Sequence, residues 1–572
     1  MGRKRRCRVV ADFETTTDPN DLRVWASCAV DIDTLETVHL SNSMESFIEW
    51  LSGQNIIIYM HNLKFDIEFL LSYLHLNNYK RSTSKEPKTF DTLIADNGQV
   101  YSLTVIFDRK IDKKRKSHYK KAVFYDSLKK LPFKVSQIAK DFELPDQKLE
   151  IDYHEFRPIG HELTDLEKAY IVNDCRIVAS ALKIQFEQGL SRMTMASDAM
   201  NFFKNVITPK QFDRYFPTFP IELDRDIRRA YKGGYVYLKP EYKGVRGLEG
   251  CQLDINSLYP SIMYDRLLPI GYPVFFEGEP VDDPDFPLFI VRFECSFELR
   301  PGFLPTVQLK NTFRFNPTEY ISSSDGDIID MVMTSVDLKL FLEHYETKNL
   351  NYISGWRFRG VSGIFKDYID HWMKIKEANT GAIRQIAKLA LNSLYGRFAL
   401  NPKAYKRVSY LDEEDIVRYA IIDTEEKAKE YGADPPEFRD PVYTAMGAFI
   451  TAYAREKTIR SGQSVYDRFI YSDTDSLKLI GQDLPESLDI HPTRLGAWKD
   501  EGSFSDSKFI RAKTYMLTTE KGVSVTCAGM PDNLKETVTY DNFCVGSSFD
   551  GKLMPRRFKG GVILMPTTFT IM

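Results

Sequence analysis

Carboxylates stand inside runs that otherwise read as buried strands, and this limits what the chain can fold into more than any other feature. VVADFE holds Asp12 and Glu14 two apart, QLDINS holds Asp254, and YSDTDS (471–476) sets Asp473 and Asp475 between two apolar runs. In extended structure residues i and i+2 point to one face, so each such pair places like charges side by side. That arrangement costs stability unless a turn exposes it or a cation neutralises it. For YSDTDS alone a solvated hairpin tip would suffice, since Asp and Ser favour turns. Elsewhere Asp66 closes HNLKFD, and Asp174 closes YIVND with Tyr170 one helical turn before it. The four carboxylates Asp12, Glu14, Asp66 and Asp174, each in an apolar context, call for divalent cations. The seven cysteines are scattered with no C-x-x-C, and the nine histidines are dispersed, which argues against a zinc site and a disulfide framework. Oxygen-only ligands suit Mg²⁺ or Mn²⁺, and two such ions about 4 Å apart can stabilise both the attacking and the leaving oxygen of a phosphodiester reaction.

A chain of 572 residues has room for several domains. With 43% hydrophobic and 27% charged residues it has the balance of a globular protein. No apolar run approaches the roughly 18 residues of a membrane span. The start, MGRKRRCRVVADFE, lacks an apolar signal core, so secretion is not expected, and the cysteine usage fits a reducing compartment. The net charge of -3 conceals segregation: residues 109–121, RKIDKKRKSHYKK, carry eight Lys or Arg against one Asp. Arg3, Lys4, Arg5, Arg6 and Arg8 form a second basic run, while acids gather in LDEED (411–415) and DTEEKAKE (423–430). Such clustering favours a polyanion partner, and some of the 31 Tyr and 38 Phe can stack bases.

Alternating strand and helix signals over 1–195 predict an α/β or α+β unit, with a boundary near SRMTMASDAM (191–200). Residues 56–74 read as strand, loop and helix, and 165–190 as a helix. Residues 266–364 alternate strand-like runs with Pro and Gly turns. The stretch 368–400 predicts two helices hinged at Asn379–Thr380–Gly381, residues 403–438 a polar insertion or hairpin, and 441–482 strands. Lys388 and Tyr395, seven apart, fall on one helical face with Asn392 between them.

The ordered set D-x-E, N-x-x-x-F-D and Y-x-x-x-D resembles the proofreading 3′–5′ exonuclease of family B DNA polymerases. The resemblance implies metal binding by Asp12, Glu14, Asp66 and Asp174, a place for Tyr170 near the attacking water, and Lys148 as a supporting catalytic lysine. It also implies that Thr15, His61, Asn62, Phe65 and Ser127 hold a frayed single strand. LDINSLYP, KLALNSLYG (388–396) and YSDTDS then occur in the order of the three polymerase motifs of that family. They imply a second metal site at Asp254 and Asp475, again with two Mg²⁺ or Mn²⁺ ions, and Asp473 beside it. Lys376, Lys388 and Asn392 would meet the incoming dNTP, Tyr395 would cover the nascent base pair, and Tyr259 would occupy the space of a ribose 2′-hydroxyl.

YKGGY (Tyr231, Gly233, Gly234) resembles the family's linker between exonuclease and polymerase, and RAKTY (Lys513, Tyr515) its primer-contact motif. Across nearly the whole chain the likeness is to the protein-primed replicative DNA polymerases of small tailed Bacillus phages. The implied fold is α+β and multidomain: an RNase H-like exonuclease domain over 1–195, then a right-hand polymerase. Its palm would cover 196–265 and 439–545, its fingers 365–402 and its thumb 546–572. Two palm insertions would lie at 266–364, contacting a terminal protein that primes synthesis, and at 403–438, giving processivity and strand displacement. Template and primer DNA, dNTPs and a viral terminal protein are the implied partners, with no membrane, for a monomer in the cytoplasm of an infected bacterium. The second insertion departs from the family by being acidic, which predicts weaker, more salt-sensitive duplex binding.

Overall fold

In the computed structural model, residues 6–572 are described apart from 114, 154 and 310–318. Arg3, Lys4, Arg5 and Lys114 of the two basic runs, and Lys310 within 266–364, lie outside the described residues.

Strand Cys7–Thr15 is the axis of the N-terminal body. It pairs antiparallel with Val24–Asp31 and parallel with Asn55–Met60, which in turn runs parallel to Ser117–Asp126. Among the described residues this mixed sheet has eight strands. The period of two sorts its side chains: Val9, Ala11 and Phe13 join the apolar cluster with helices Met44–Ser52 and Leu63–Leu76, while Val10 faces the other, with helix Asp165–Glu187. Asp12 and Glu14 are in phase with Val10, so they face the helix that carries Asp174. That helix starts at a capping box in which Thr164 and Glu167 satisfy each other's backbone N–H.

A second, fully antiparallel sheet lies at the centre, in the order Trp498–Phe504, Gly250–Ile255, Ser476–Ile480, Phe469–Asp473, Val236–Leu238. Behind it runs helix Thr444–Ser464, where the sequence pattern predicts strands. Residues 444–452 are buried without a break. A helix apolar on all sides shows no 3.6-residue period, so its pattern cannot be told from a buried strand. The segment 366–393 is the expected helix pair, Lys366–Ala378 and Gly381–Ser393, and Gly381 adopts φ +53° at the break. Among the described residues, Leu268–Glu277, Leu288–Leu299, Ile329–Thr334 and Tyr345–Val361 build a separate four-stranded antiparallel sheet with its own apolar cluster.

Lys406–Leu411 and Val417–Ile422 form a hairpin, followed by helix Glu425–Glu430. Two of the four acids at its tip, Asp412 and Asp415, are paired. Asp412 accepts from the backbone N–H of Glu414 and Ile416 and from Arg418, and Asp415 pairs with Lys559 at 2.7 Å. At the C-terminus one apolar cluster unites Ile510, Met516 and Cys527 with Phe549, Phe569 and Ile571, so the expected division at 545 runs through a shared core. Among the described residues, no helix is long and apolar enough to cross a membrane.

Candidate functional sites

One strand and two helices bring the first acidic set together. Asp12 sits mid-strand and accepts from the Phe13 N–H at 3.0 Å. Asp66 lies in the first turn of helix Leu63–Leu76, and Asp66, Glu14 and Asp174 are all buried. Burial, and then the charge of Asp174, push the Asp12 carboxyl up to about 7. Burial and the Asp12 charge push Glu14 and Asp66 well above the usual carboxylate range. Lys148 is the local cation: its Nζ donates to Asp174 Oδ2 at 2.5 Å and to the Tyr170 hydroxyl at 3.3 Å. Burial opposes the ammonium, but Asp174 outweighs it and the Lys148 pKa is raised.

One lysine cannot balance four carboxylates, and Asp174 Oδ1 is buried with no hydrogen-bond partner. Among the described residues no three acidic, His or Cys side chains form a closed metal cage. The set nevertheless fits a divalent ion in chemistry: oxygen donors, mutual repulsion and an orphaned buried oxygen.

Around this set, Asn62 is exposed with φ +69°, and Phe65 is half-buried with its ring 5.6 Å from Phe69. Thr15 follows a register shift at the strand's end. Ser127 does not stand free at the surface. It is fully buried, its hydroxyl donates to Met60 O, and it lies 2.9 Å from His61 Nδ1. His61 Nε2 is 2.7 Å from Phe133 O. These two residues brace the loop from beneath. Tyr153, absent from the sequence reading, is hydrogen-bonded to the Tyr170 hydroxyl.

The second set lies at the end of the central sheet. Asp254 opposes Ser476 in the ladder, and the Ile255 N–H donates to Asp475 O at 2.7 Å. The i, i+2 argument fails for YSDTDS. Asp473 ends one strand, Ser476 begins the next, and Thr474 between them has φ +61°. The two aspartates therefore part company. Asp473 pairs with Lys513 Nζ at 2.8 and 2.9 Å, while burial and then Asp475 push the Asp254 carboxyl up to about 6. The Lys513 N–H also donates to the Tyr471 hydroxyl, and Tyr515 packs against the Tyr471 ring.

Asp254 and Asp475 open onto a cavity of about 610 Å³ shared with Tyr259, Lys376, Lys388, Asn392 and Tyr395. The Tyr259 and Tyr395 rings stack at 4.0 Å and 19°. Lys376 Nζ donates to Ser257 Oγ at 3.3 Å. Tyr395 does not share a helix with Lys388, because helix Gly381–Ser393 stops two residues short of it. Leu394 keeps helical torsions across the break, so Tyr395 still reaches the cavity. Gly234 passes so close to Thr474 that a Cβ would lie 2.6 Å from its Oγ1. Gly233 O accepts from Arg455 at 2.7 Å, and Tyr231 is half-buried near Arg228 and Arg455.

Arg384, Lys499 and Glu501 also line the cavity and were not found from sequence. Arg384 is four residues before Lys388, so helical spacing could have found it. Glu501 arrives on strand Trp498–Phe504, whose pairing with Gly250–Ile255 leaves no local trace.

The family described as DNA polymerase type B, organellar and viral, matches residues 50–490, and the chain belongs to it. Within that class it is 44% identical to the DNA polymerases of Bacillus phages phi29 and M2, over 98% of this chain and 98% of each of theirs. It is 33% identical to the DNA polymerase of Streptococcus phage Cp-1, over 99% of this chain and 98% of that one. The structure of phi29 DNA polymerase complexed with primer-template DNA and incoming nucleotide substrates matches with a TM-score of 0.93 at 43% identity, over 99% of this chain and 100% of that one.

Proposed function

We propose that the chain is a DNA-templated DNA polymerase with its own 3′–5′ exonuclease, each chemistry at one acidic set. The observation that carries the reading is the central cavity, where Asp254 and Asp475 meet four cations, Lys376, Arg384, Lys388 and Lys499, and a tyrosine stack. Lys376, Arg384 and Lys388 would bind the triphosphate and stabilise charge developing on it. Tyr395 would cover the nascent pair, and Tyr259 would exclude a 2′-hydroxyl. Lys513, held by Asp473, and Tyr515 would meet the primer strand, with Tyr231 and the Gly233–Gly234 turn alongside. Asp254 and Asp475 would hold two Mg²⁺ or Mn²⁺ ions, which when bound lower the barrier to attack by the primer 3′-hydroxyl on the α-phosphate.

In the N-terminal body Asp12, Glu14, Asp66 and Asp174 would hold a second pair of ions. Lys148 keeps Tyr170 and Asp174 in register, and Tyr170 would orient the attacking water. Asn62, Phe65 and Thr15 would hold the frayed strand above the brace of His61 and Ser127. On this reading 1–195 is an RNase H-like exonuclease domain and the remainder a right hand with insertions at 266–364 and 403–438. Likeness to phage polymerases over the full length supports priming on a terminal protein, strand displacement and action as a monomer in an infected cell. Neutralisation of Asp412 and Asp415 by Arg418 and Lys559 removes part of the electrostatic objection to duplex binding.

Primer extension tests both halves. Asp475→Ala is expected to abolish extension and leave degradation of single-stranded 3′ ends. Asp12→Ala with Asp66→Ala is expected to do the reverse. Extension by the first variant at the wild-type rate would refute the central assignment, and digestion by the second would refute the N-terminal one.

A further inference from the structure

The turn that presents Asp475 is held in an unfavourable shape. Thr474 is β-branched and has φ +61°, a region that such residues rarely adopt. Its backbone is gripped at both ends. The Thr474 N–H donates to Tyr235 O at 2.6 Å, and Thr474 O accepts from the Thr458 hydroxyl at 2.7 Å. Thr458 is fully buried on helix Thr444–Ser464. A helical threonine ordinarily returns its hydroxyl to its own helix, as Thr451 does to Gly447 O at 3.0 Å. Thr458 gives its hydroxyl to the turn instead. Three residues earlier on the same face, Arg455 donates to Lys232 O at 2.9 Å and to Gly233 O at 2.7 Å. One face of the helix thus holds both the 232–235 loop and the 473–475 tip, and the loop itself holds the tip through Tyr235. The Ile255 N–H then ties Asp475 O to the strand of Asp254.

We propose that Thr458 is a positioning residue for nucleotidyl transfer: its hydroxyl sets the Thr474 peptide and so the placement of Asp475 against Asp254. The proposal rests on the polymerase reading above. Loss of the hydroxyl frees one side of a strained turn, and a shift of about 1 Å at a reacting centre can cost on the order of 100-fold in rate.

The test compares Thr458→Val, which keeps the shape and removes the hydroxyl, with Thr458→Ser, which keeps the hydroxyl. In Thr458→Val the maximal extension rate is expected to fall roughly 10- to 100-fold while KM for dNTP stays within about twofold. Degradation of single-stranded DNA by the same preparation is expected to be unchanged, and Thr458→Ser to recover most of the extension rate. On chains that also carry Asp12→Ala and Asp66→Ala, Mn²⁺ titration followed by electron paramagnetic resonance is expected to show weaker binding at the central site in the valine variant. Wild-type extension by Thr458→Val would overturn the proposal, as would an equal loss of both activities or failure of serine to restore extension. Absence of extension by the wild-type chain would instead overturn the polymerase reading.

Discussion

On the reading proposed above, Asp12 couples the stability of the N-terminal body to pH and to divalent metal. Its carboxyl lies at about 7 in the fold against an ordinary 3.8, through burial first and the Asp174 charge second. A carboxyl raised in the native state binds its proton more tightly there than in the unfolded chain. Without metal, the share of stability that Asp12 contributes is therefore fully present below pH 3.8 and is lost as pH rises through 7. At 1.36 kcal/mol per unit, the share lost between pH 5.5 and 8 is about 2 kcal/mol. Asp12 keeps part of its surface accessible, so screening trims this to about 1.5 kcal/mol, roughly tenfold in the opening equilibrium. Amide hydrogen exchange along Cys7–Thr15 in EDTA reads that opening locally, which a global melt of a multidomain chain does not. After correction for the intrinsic exchange rate, protection is expected to fall about tenfold from pH 5.5 to 8 in the wild type and much less in Asp12→Asn. Millimolar Mg²⁺ at pH 8 is expected to restore it in the wild type. A flat wild-type profile, or the same fall in Asp12→Asn, would refute the assignment of a raised, metal-linked carboxyl.

Three other perturbations read separate parts of the structure. Arg557 donates twice to the buried Glu68, at 2.8 and 3.0 Å, and stacks on Tyr419, joining the C-terminal hairpin to the N-terminal body and the 406–422 hairpin. Because Arg557 is one-third exposed, Glu68→Gln should cost about 2–3 kcal/mol, below the full penalty for breaking a buried pair. Faster proteolysis of residues 548–570 and shorter rolling-circle products are the expected outcomes, and unchanged values of both would discount the contact. Gly234→Ala drives a methyl into Thr474, a misfit of about 1–3 kcal/mol, so extension should drop while single-strand degradation persists; equal loss of both would point to general misfolding. Tyr259→Val opens the sugar side of the cavity and should raise ribonucleotide incorporation at least about tenfold relative to dNTP. Unaltered discrimination in that competition assay would remove Tyr259 from the role.

The acidic sites were legible because each carboxylate carries its context with it. VVADFE, QLDINS and YSDTDS are short, apolar and strand-like on their own, and burying their charges without a cation is prohibitive wherever they end up. The helix hinge at 379–381 was equally local, a matter of the positive φ that Gly381 adopts. Misreadings arose where the local rule was overridden. Asp473 and Asp475 do not share a face, because packing by Gly234 and a bond from Thr458 hold Thr474 at positive φ. Helix Thr444–Ser464 passed for strand because burial on every side removes the period that marks a helix. Glu501, Thr458 and the Glu68–Arg557 pair left no signal, since their partners come from distant segments, in the last case 489 residues away. Spacing along a chain records which face a side chain takes within its own element. Which elements then meet depends on burial summed over the whole fold, and no window of the sequence contains that sum.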